Sequence, residues 1–130
     1  MPIMAEEPQM SISSKGERIK YFLTGGGKTL DDFIGFFTEQ AKYKFANAPL
    51  LTGKPAIREF AANARKRVKF VTHDIHELWE IGDVVICELD INYHRHDDSV
   101  VTLPGTDIFR MDGDLIRDLR VYVDVSPLRQ

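Results

Sequence analysis

Three runs in the C-terminal half, residues 84–93, 100–111 and 115–125, alternate apolar and polar side chains, and each carries acids inside it: Glu88 and Asp90, then Asp107, then Asp124. Alternation with period two fits a pleated sheet with one buried face and does not fit a helix. A carboxylate on such a surface is costly, since even neutral polar groups lose about 2–7 kcal/mol when desolvated without a partner. An acid in mid-strand therefore faces water or serves a site. A fourth extended stretch begins at Val68, and Gly82-Asp83, Asp97-Asp98 and Asp112-Gly113 punctuate the four runs into long antiparallel hairpins.

The N-terminal half has helical spacing instead. Residues 1–10, with Pro2, Glu6, Glu7 and Pro8, read as a flexible arm, and 11–130 as one domain. Ile12, Ile19, Phe22 and Leu23 predict a first helix that stops at Thr24-Gly25-Gly26-Gly27. Thr29 offers an N-cap for a second helix, with Asp31 and Asp32 in its first turn ahead of Phe33, Ile34, Phe36 and Phe37. Residues 41–45 read as a brief strand and 47–49 as a turn. Thr52-Gly53-Lys54-Pro55 then opens a third helix, with Ile57, Phe60, Ala61 and Ala64 along one face. Helices followed by a meander of strands predict an α+β domain: one curved antiparallel sheet covered on one face by three N-terminal helices. Such a cone encloses the concave, apolar kind of space that small-molecule sites favour.

Composition narrows the functions. A chain of 130 residues, 43% hydrophobic, supports one core. Against 20 acidic residues stand 17 basic ones, for a formal charge of -3, and the basic residues are dispersed except at Arg65-Lys66-Arg67. That cluster reads as a solvated helix end, so no nucleic-acid partner is expected. The lone Cys87 excludes an internal disulfide, fits a reducing compartment, and sits in an apolar run where packing explains it. No apolar stretch approaches the roughly 20 residues that span a bilayer. The first ten residues lack a signal-peptide pattern, so a cytoplasmic protein with no membrane partner is expected.

Two motif-like features fall away. Gly25-Gly26-Gly27-Lys28-Thr29 is no phosphate loop, because Phe22 stands where that motif needs glycine and the segment follows a helix. His94 and His96 share a strand face with Asp97 and Asp98 close behind, but they lie at a hairpin turn with no further ligand nearby; a solvated tip is expected, and neither metal nor cofactor. His73 and His76 are three apart, so one of them can point inward. Tyr21, Tyr43, Tyr93 and Tyr122 fall in or beside core elements, where a buried phenol needs a hydrogen-bond partner.

From Ile19 to Leu128 the chain resembles the nuclear transport factor 2-like superfamily, in its SnoaL-like and ketosteroid isomerase-like group. Residues 52–60, TGKPAIREF, are similar to the family's G-x-x-A-I-x-x-F helix start; residues 107–113, DIFRMDG, followed by Leu115-Ile116 and then Arg120-Val121-Tyr122-Val123-Asp124, carry the rest. The resemblance implies a cone-shaped α+β barrel, commonly a homodimer through the sheet. Compared with ketosteroid isomerases, Tyr21 matches the oxyanion-hole tyrosine and Asp107 the acid kept protonated to donate a second hydrogen bond. The isomerase base falls near Lys44 or Phe45, neither a carboxylate. Compared with limonene epoxide hydrolase, Tyr43, Asp124 and Asn47 match the water-holding residues, while that enzyme's arginine and acid fall near Leu89 and Ile91. Glu88 and Asp90 are one step out of register unless a bulge flips the strand.

The expectation is therefore a cofactor-independent isomerase or cyclase acting on an apolar, carbonyl-bearing ligand held in the cone. Tyr21 and Asp107 would stabilise a developing oxyanion. Asp124, backed by Tyr43, Asn47 or His73, would be the base, and Glu88, Tyr93, Tyr122, Trp79, Phe33 and Phe60 would complete the ligand-binding wall. The alternatives are a binding module, an epoxide hydrolase-like water activator, and an interaction scaffold whose cone is plugged by Phe33, Phe36, Phe37, Phe60 and Trp79. Strand parity is the check on Asp124, which shares a face with Tyr122 and Arg120 while Val121, Val123 and Val125 form the other.

Overall fold

Ser14 opens the first element of the described residues: its Oγ accepts a hydrogen bond from the Glu17 amide at 3.1 Å and caps helix α1, Lys15–Tyr21. The structure, a computed structural model, describes residues 14–129; the expected arm at 1–10 and Ile12 of the first helix lie outside the described residues. A π-helical turn, Phe22–Gly26, prolongs α1. Thr29 Oγ1 then caps α2, Leu30–Gly35, by accepting from the Asp32 amide at 3.0 Å. Strands β1, Phe37–Phe45, and β2, Leu51–Thr52, lead into α3, Lys54–Arg67. The meander follows as β3, Phe70–Ile81, β4, Val84–His94, β5, Val100–Asp112, and β6, Leu115–Val123, with a 3-10 turn at Ser126–Arg129.

All six strands form one curved sheet in the order β2-β1-β6-β5-β4-β3. β1 runs parallel to β6, with Tyr43 opposite Leu119, and every other pairing is antiparallel. The sheet is thus mixed where a purely antiparallel one was expected. The expected strand at 41–45 also reaches back to Phe37, so the second helix stops at Gly35. An apolar run such as Phe36-Phe37 satisfies either period, and pairing of Phe37 with Ile116 decides for the strand.

Helices α1 to α3 cover the concave face. Ile19, Phe22, Leu23, Ile34 and Ile57 pack there against Val85, Leu89, Phe109, Met111, Ile116 and Leu119. Phe22 is central, with its ring 4.9 Å from that of Phe36 and 5.5 Å from that of Phe33. Two polar ties hold the helical layer. The Gly16 amide donates to Glu80 Oε1 on β3 at 2.8 Å, and Arg65 donates to the Lys28 carbonyl at 2.8 Å and the Gly27 carbonyl at 3.1 Å. The glycine-rich segment is a connector that α3 clamps, and one member of the basic cluster is the clamp.

The convex face is exposed and divided by charge. Cross-strand partners Asp74 and Asp90, and Glu77 and Glu88, make its β3–β4 half acidic; Arg110, Arg120, Lys42 and Lys44 leave its β6–β1 half net basic around Asp118, which Arg120 holds at 2.8 Å. A bulge between Ile75 and Glu77 inserts His76, whose Nε2 lies 3.0 Å from Asp90 Oδ2. Trp79, Ile81 and Tyr122 are large exposed apolar groups on this face. His94 Nε2 pairs with Thr72 Oγ1 at 3.1 Å and His96 Nε2 with the Lys66 carbonyl at 3.1 Å, so the two rings are engaged separately. Among the described residues no group of three potential metal ligands converges, and no helix is long and apolar enough to cross a membrane.

Candidate active site

Across the concave face one row of register partners runs Phe45, Val121, Asp107, Cys87, Leu78 from β1 to β3. Four of its members are apolar or thiol; the fifth is a carboxyl at the centre of the sheet. Alternation on β5 requires this, because Asp107 is in phase with buried Leu103, Phe109 and Met111. Asp107 is 4% exposed and is the one buried charged side chain among the described residues. Its Oδ1 is sealed from solvent without a hydrogen-bond partner.

Burial without compensation disfavours the carboxylate and pushes the Asp107 pKa up to about 7. Near neutrality this group therefore exists in both protonation states. Its surroundings carry protons that do not leave in that range. Burial first, and then the Asp107 charge, push the phenol of Tyr93 and the thiol of Cys87 each up to about 12. The same causes raise Tyr43 further. Tyr43 is held by aromatic edges, its ring 5.7 Å from Phe60, 6.2 Å from Phe37 and 6.4 Å from Phe33.

Two further residues shape the concave face. Gly105 lies two residues before Asp107, between Leu89 and Val123 in register. A Cβ there would come within 3.3 Å of the Tyr122 carbonyl and 3.4 Å of Ile91 Cδ1, so neighbouring groups already close over this position and a side chain would have to displace them. His73 sits on β3 opposite Ile91, which faces Leu103. Its Nδ1 lies 3.1 Å from the Leu23 carbonyl in the π-helical turn. A carbonyl only accepts, so Nδ1 carries the proton and Nε2 keeps its lone pair. Burial lowers the His73 pKa, partly opposed by that hydrogen bond and by Asp74.

The model of the SnoaL-like domain matches residues 20–119. The chain belongs to the SnoaL-like domain family. No curated protein sequence matches it, but solved structures share the fold of this SnoaL-like domain. A protein described as a SnoaL-like polyketide cyclase from Jannaschia sp. CCS1 superposes with TM-score 0.77 at 12% identity, over 88% of each chain. TerC, co-crystallised with polyporic acid, gives 0.76 at 14% identity over 89% of this chain and 96% of its own. A ketosteroid isomerase-like protein from Catenulispora acidiphila, in complex with trimethylamine, gives 0.69 at 17% identity over 92% and 87%. The architecture is nuclear transport factor 2-like.

Within this SnoaL-like domain the expected site residues divide. Asp107, Tyr43, Tyr93, Phe33, Phe60 and His73 belong to the concave side. Asp124 does not. It lies just beyond β6, is exposed, and its Oδ1 accepts from the Ser126 amide at 3.0 Å to start the 3-10 turn. Those Ser126 hydrogen bonds hold its carboxyl below the usual range. Val121 and Val123 take the inward positions of β6, so the parity check goes against Asp124 as the base.

Tyr21 is a second correction. The α1 phase that buries Ile19, Phe22 and Leu23 turns Tyr21 out, 59% exposed, over a shallow surface groove with Arg18, Asp31 and Asp32. Glu88, Trp79 and Tyr122 lie on the convex face, and Asn47 is exposed in the turn after β1. The bulge that might have turned Glu88 and Asp90 inward lies in β3 rather than β4, which leaves Leu89 and Ile91 buried. Trp79 is accordingly no plug, whereas Phe33, Phe36, Phe37 and Phe60, the other residues expected to fill the cone, do pack in its aromatic core. Gly105, a glycine inside a strand pattern, marks a close approach of backbone, here that of the Tyr122 carbonyl.

Proposed function

We propose that the cone binds a neutral, apolar small molecule through a carbonyl oxygen and that Asp107 exchanges a proton with it, in an isomerase- or cyclase-type reaction that uses no cofactor. The observation that carries this reading is the buried Asp107 carboxyl with its unpartnered oxygen. An apolar wall selects an apolar guest, and the carboxyl disfavours an anionic one. As an acid, Asp107 donates to the carbonyl oxygen, and a preorganised donor to a developing oxyanion is worth about 3 kcal/mol. With a pKa of about 7 it can also take that proton back. The kinship with a described polyketide cyclase supports the reaction class.

A second reading is a non-catalytic binding module. The trimethylamine found with the Catenulispora protein favours a cationic guest for it, seated against the Asp107 carboxylate and the rings of Tyr43 and Tyr93. Proton linkage separates the two. Calorimetry in buffers of different ionisation enthalpy is expected to show proton uptake when 1-indanone binds at pH 7.5, because a carbonyl favours the neutral acid. Trimethylamine would instead release protons at pH 6.5. Binding of 1-indanone with no proton exchange would remove Asp107 from the ligand.

We also propose a homodimer through the convex face. A two-fold axis lying in the interface along the strands sets the acidic β3–β4 half of one protomer over the basic β6–β1 half of its partner and covers Trp79 and Ile81. Sedimentation velocity is expected to give twice the 14.9 kDa chain mass for the native protein and a monomer for Ile81→Asp. A monomeric native protein at 100 mM salt would overturn the arrangement.

A further inference from the structure

We infer that His76 makes the proposed dimer pH-sensitive: on taking up a proton the imidazole claims Asp90 from the partner's basic half, and the two sheets separate in mild acid. This rests on the dimer proposed above and adds its regulation.

The acidic half of the convex face is built at a cost. Asp74 stands directly opposite Asp90 and, past the bulge, Glu77 directly opposite Glu88. Like charges directly opposite one another on paired strands are destabilising, and two such pairs follow each other along the same two strands. Asp74 has local relief, since the Asn92 amide donates to its Oδ2 at 2.9 Å. Among the described residues no lysine or arginine pairs with any of the four acids. The net basic half of a second copy is a counter-charge of the right sign and extent, which the two-fold axis sets over them.

The bulge supplies a competitor for the same carboxylates. Register runs to Ile75 opposite Leu89 and resumes at Glu77 opposite Glu88, so the extra residue lets both His76 and Glu77 turn to the convex side. His76 Nε2 reaches within 3.0 Å of Asp90 Oδ2. A carboxylate only accepts, so Nε2 carries the hydrogen in the neutral ring, and Asp90 keeps its full charge for the partner. A protonated ring turns this contact into an ion pair within the protomer and leaves three carboxylates to meet the partner's cations. Histidine is the side chain suited to that change, because its charge ordinarily switches between pH 5 and 8.

Every charged group facing the ring is acidic. From β4 come Asp90 and Glu88, and from its own strand Asp74 and Glu77. β3 is the edge strand, so no further strand adds a charge. Helix α1 packs on the other side of β3, where the Gly16 amide engages Glu80. The protomer alone therefore welcomes the proton, and the partner's basic half opposes it. By linkage, whatever makes protonation harder in the dimer makes the protonated dimer weaker. Two-fold symmetry places the contact twice in each dimer, which doubles its effect on assembly.

The test is sedimentation equilibrium at 100 mM salt, at pH 8 and pH 5.5, on the native protein and two variants. The native dimer is expected to dissociate about tenfold more readily at pH 5.5 than at pH 8. His76→Gln can still donate to Asp90 but carries no charge, and its two dissociation constants should agree within about twofold. His76→Lys bears its charge at both pH values and should be weak at both. His94, His96 and Asp107 remain in all three proteins, so any contribution of theirs persists in His76→Gln. As a second readout, NMR titration should find His76 taking up its proton at higher pH in the Ile81→Asp monomer than in the native dimer. Equal native dissociation constants at the two pH values, or an undiminished pH dependence in His76→Gln, would overturn the switch and leave the dimer standing. A native monomer at pH 8 would remove the dimer and the switch together.

Discussion

Asp107→Asn is expected to make the protein more stable than the native form at pH 8, and the gain is expected to vanish below pH 4. The sign follows from linkage. In the unfolded chain this carboxyl titrates near 3.8, and in the folded one near 7. Above pH 7 both states are ionised and the folded state bears the whole cost of an unpaired buried charge. From 7 down toward 4 the folded state takes up a proton that the unfolded state does not, so native stability rises as pH falls. Below 3.8 both are protonated and the penalty is gone. At about 1.4 kcal/mol per pKa unit, the displacement corresponds to a penalty on the order of 4 kcal/mol at pH 8. The buried amide of asparagine keeps an unsatisfied polar group of its own, leaving a net gain of about 2–3 kcal/mol. Other carboxylates titrate over the same interval, so the measurement is the difference between the two proteins in urea unfolding at pH 4, 6 and 8. A difference that does not change with pH would mean that Asp107 is paired or solvated in the folded protein.

That a native chain keeps such a cost is the physical argument for a site, and part of it was legible in the sequence. The strand pattern fixed the four hairpin strands and put Asp107 in phase with Leu103, Phe109 and Met111. The same parity set Asp124 on the face opposite Val121 and Val123 and left open which face turns inward. Its place inside an alternating run and the resemblance to limonene epoxide hydrolase both drew Asp124 in, and the structure gives it a local job in capping the final turn. Tyr21 is similar: the spacing of Ile19, Phe22 and Leu23 already leaves it at the margin of the buried stripe. Other features had no local signal. The parallel pairing of β1 with β6 is a choice of partner between segments more than 70 residues apart in sequence, and neither propensity nor period encodes a partner. The β3 bulge at His76 shifts register by one residue within an otherwise regular run, and its location depends on β4. The proton state of Asp107 depends on the whole concave wall, which exists only once the helices are docked.

Asp107→Asn is also the variant expected to cost most in turnover. Asparagine is nearly isosteric and can still donate a hydrogen bond to a carbonyl oxygen, so ligand affinity and KM should change only a few-fold. It has no proton to transfer, and general acid–base catalysis by a positioned group is worth about a hundredfold to ten-thousandfold. Loss concentrated in kcat, together with a gain in stability, is a combination that a damaged fold does not produce. Asp124→Asn is the matched control, because it sits at the end of the same sheet but in solvent; its turnover should stay within about twofold of native, with at most a small stability loss from the weakened turn cap. If deuterium exchange into 1-indanone survives in Asp107→Asn and fails in Asp124→Asn, the chemistry lies outside the concave row, and the cost of burying Asp107 needs another explanation. If it fails in Asp107→Asn alone, the pH dependence of stability and that of turnover should trace one ionisation, since the proton that relieves the folded state near pH 7 is the one the reaction uses.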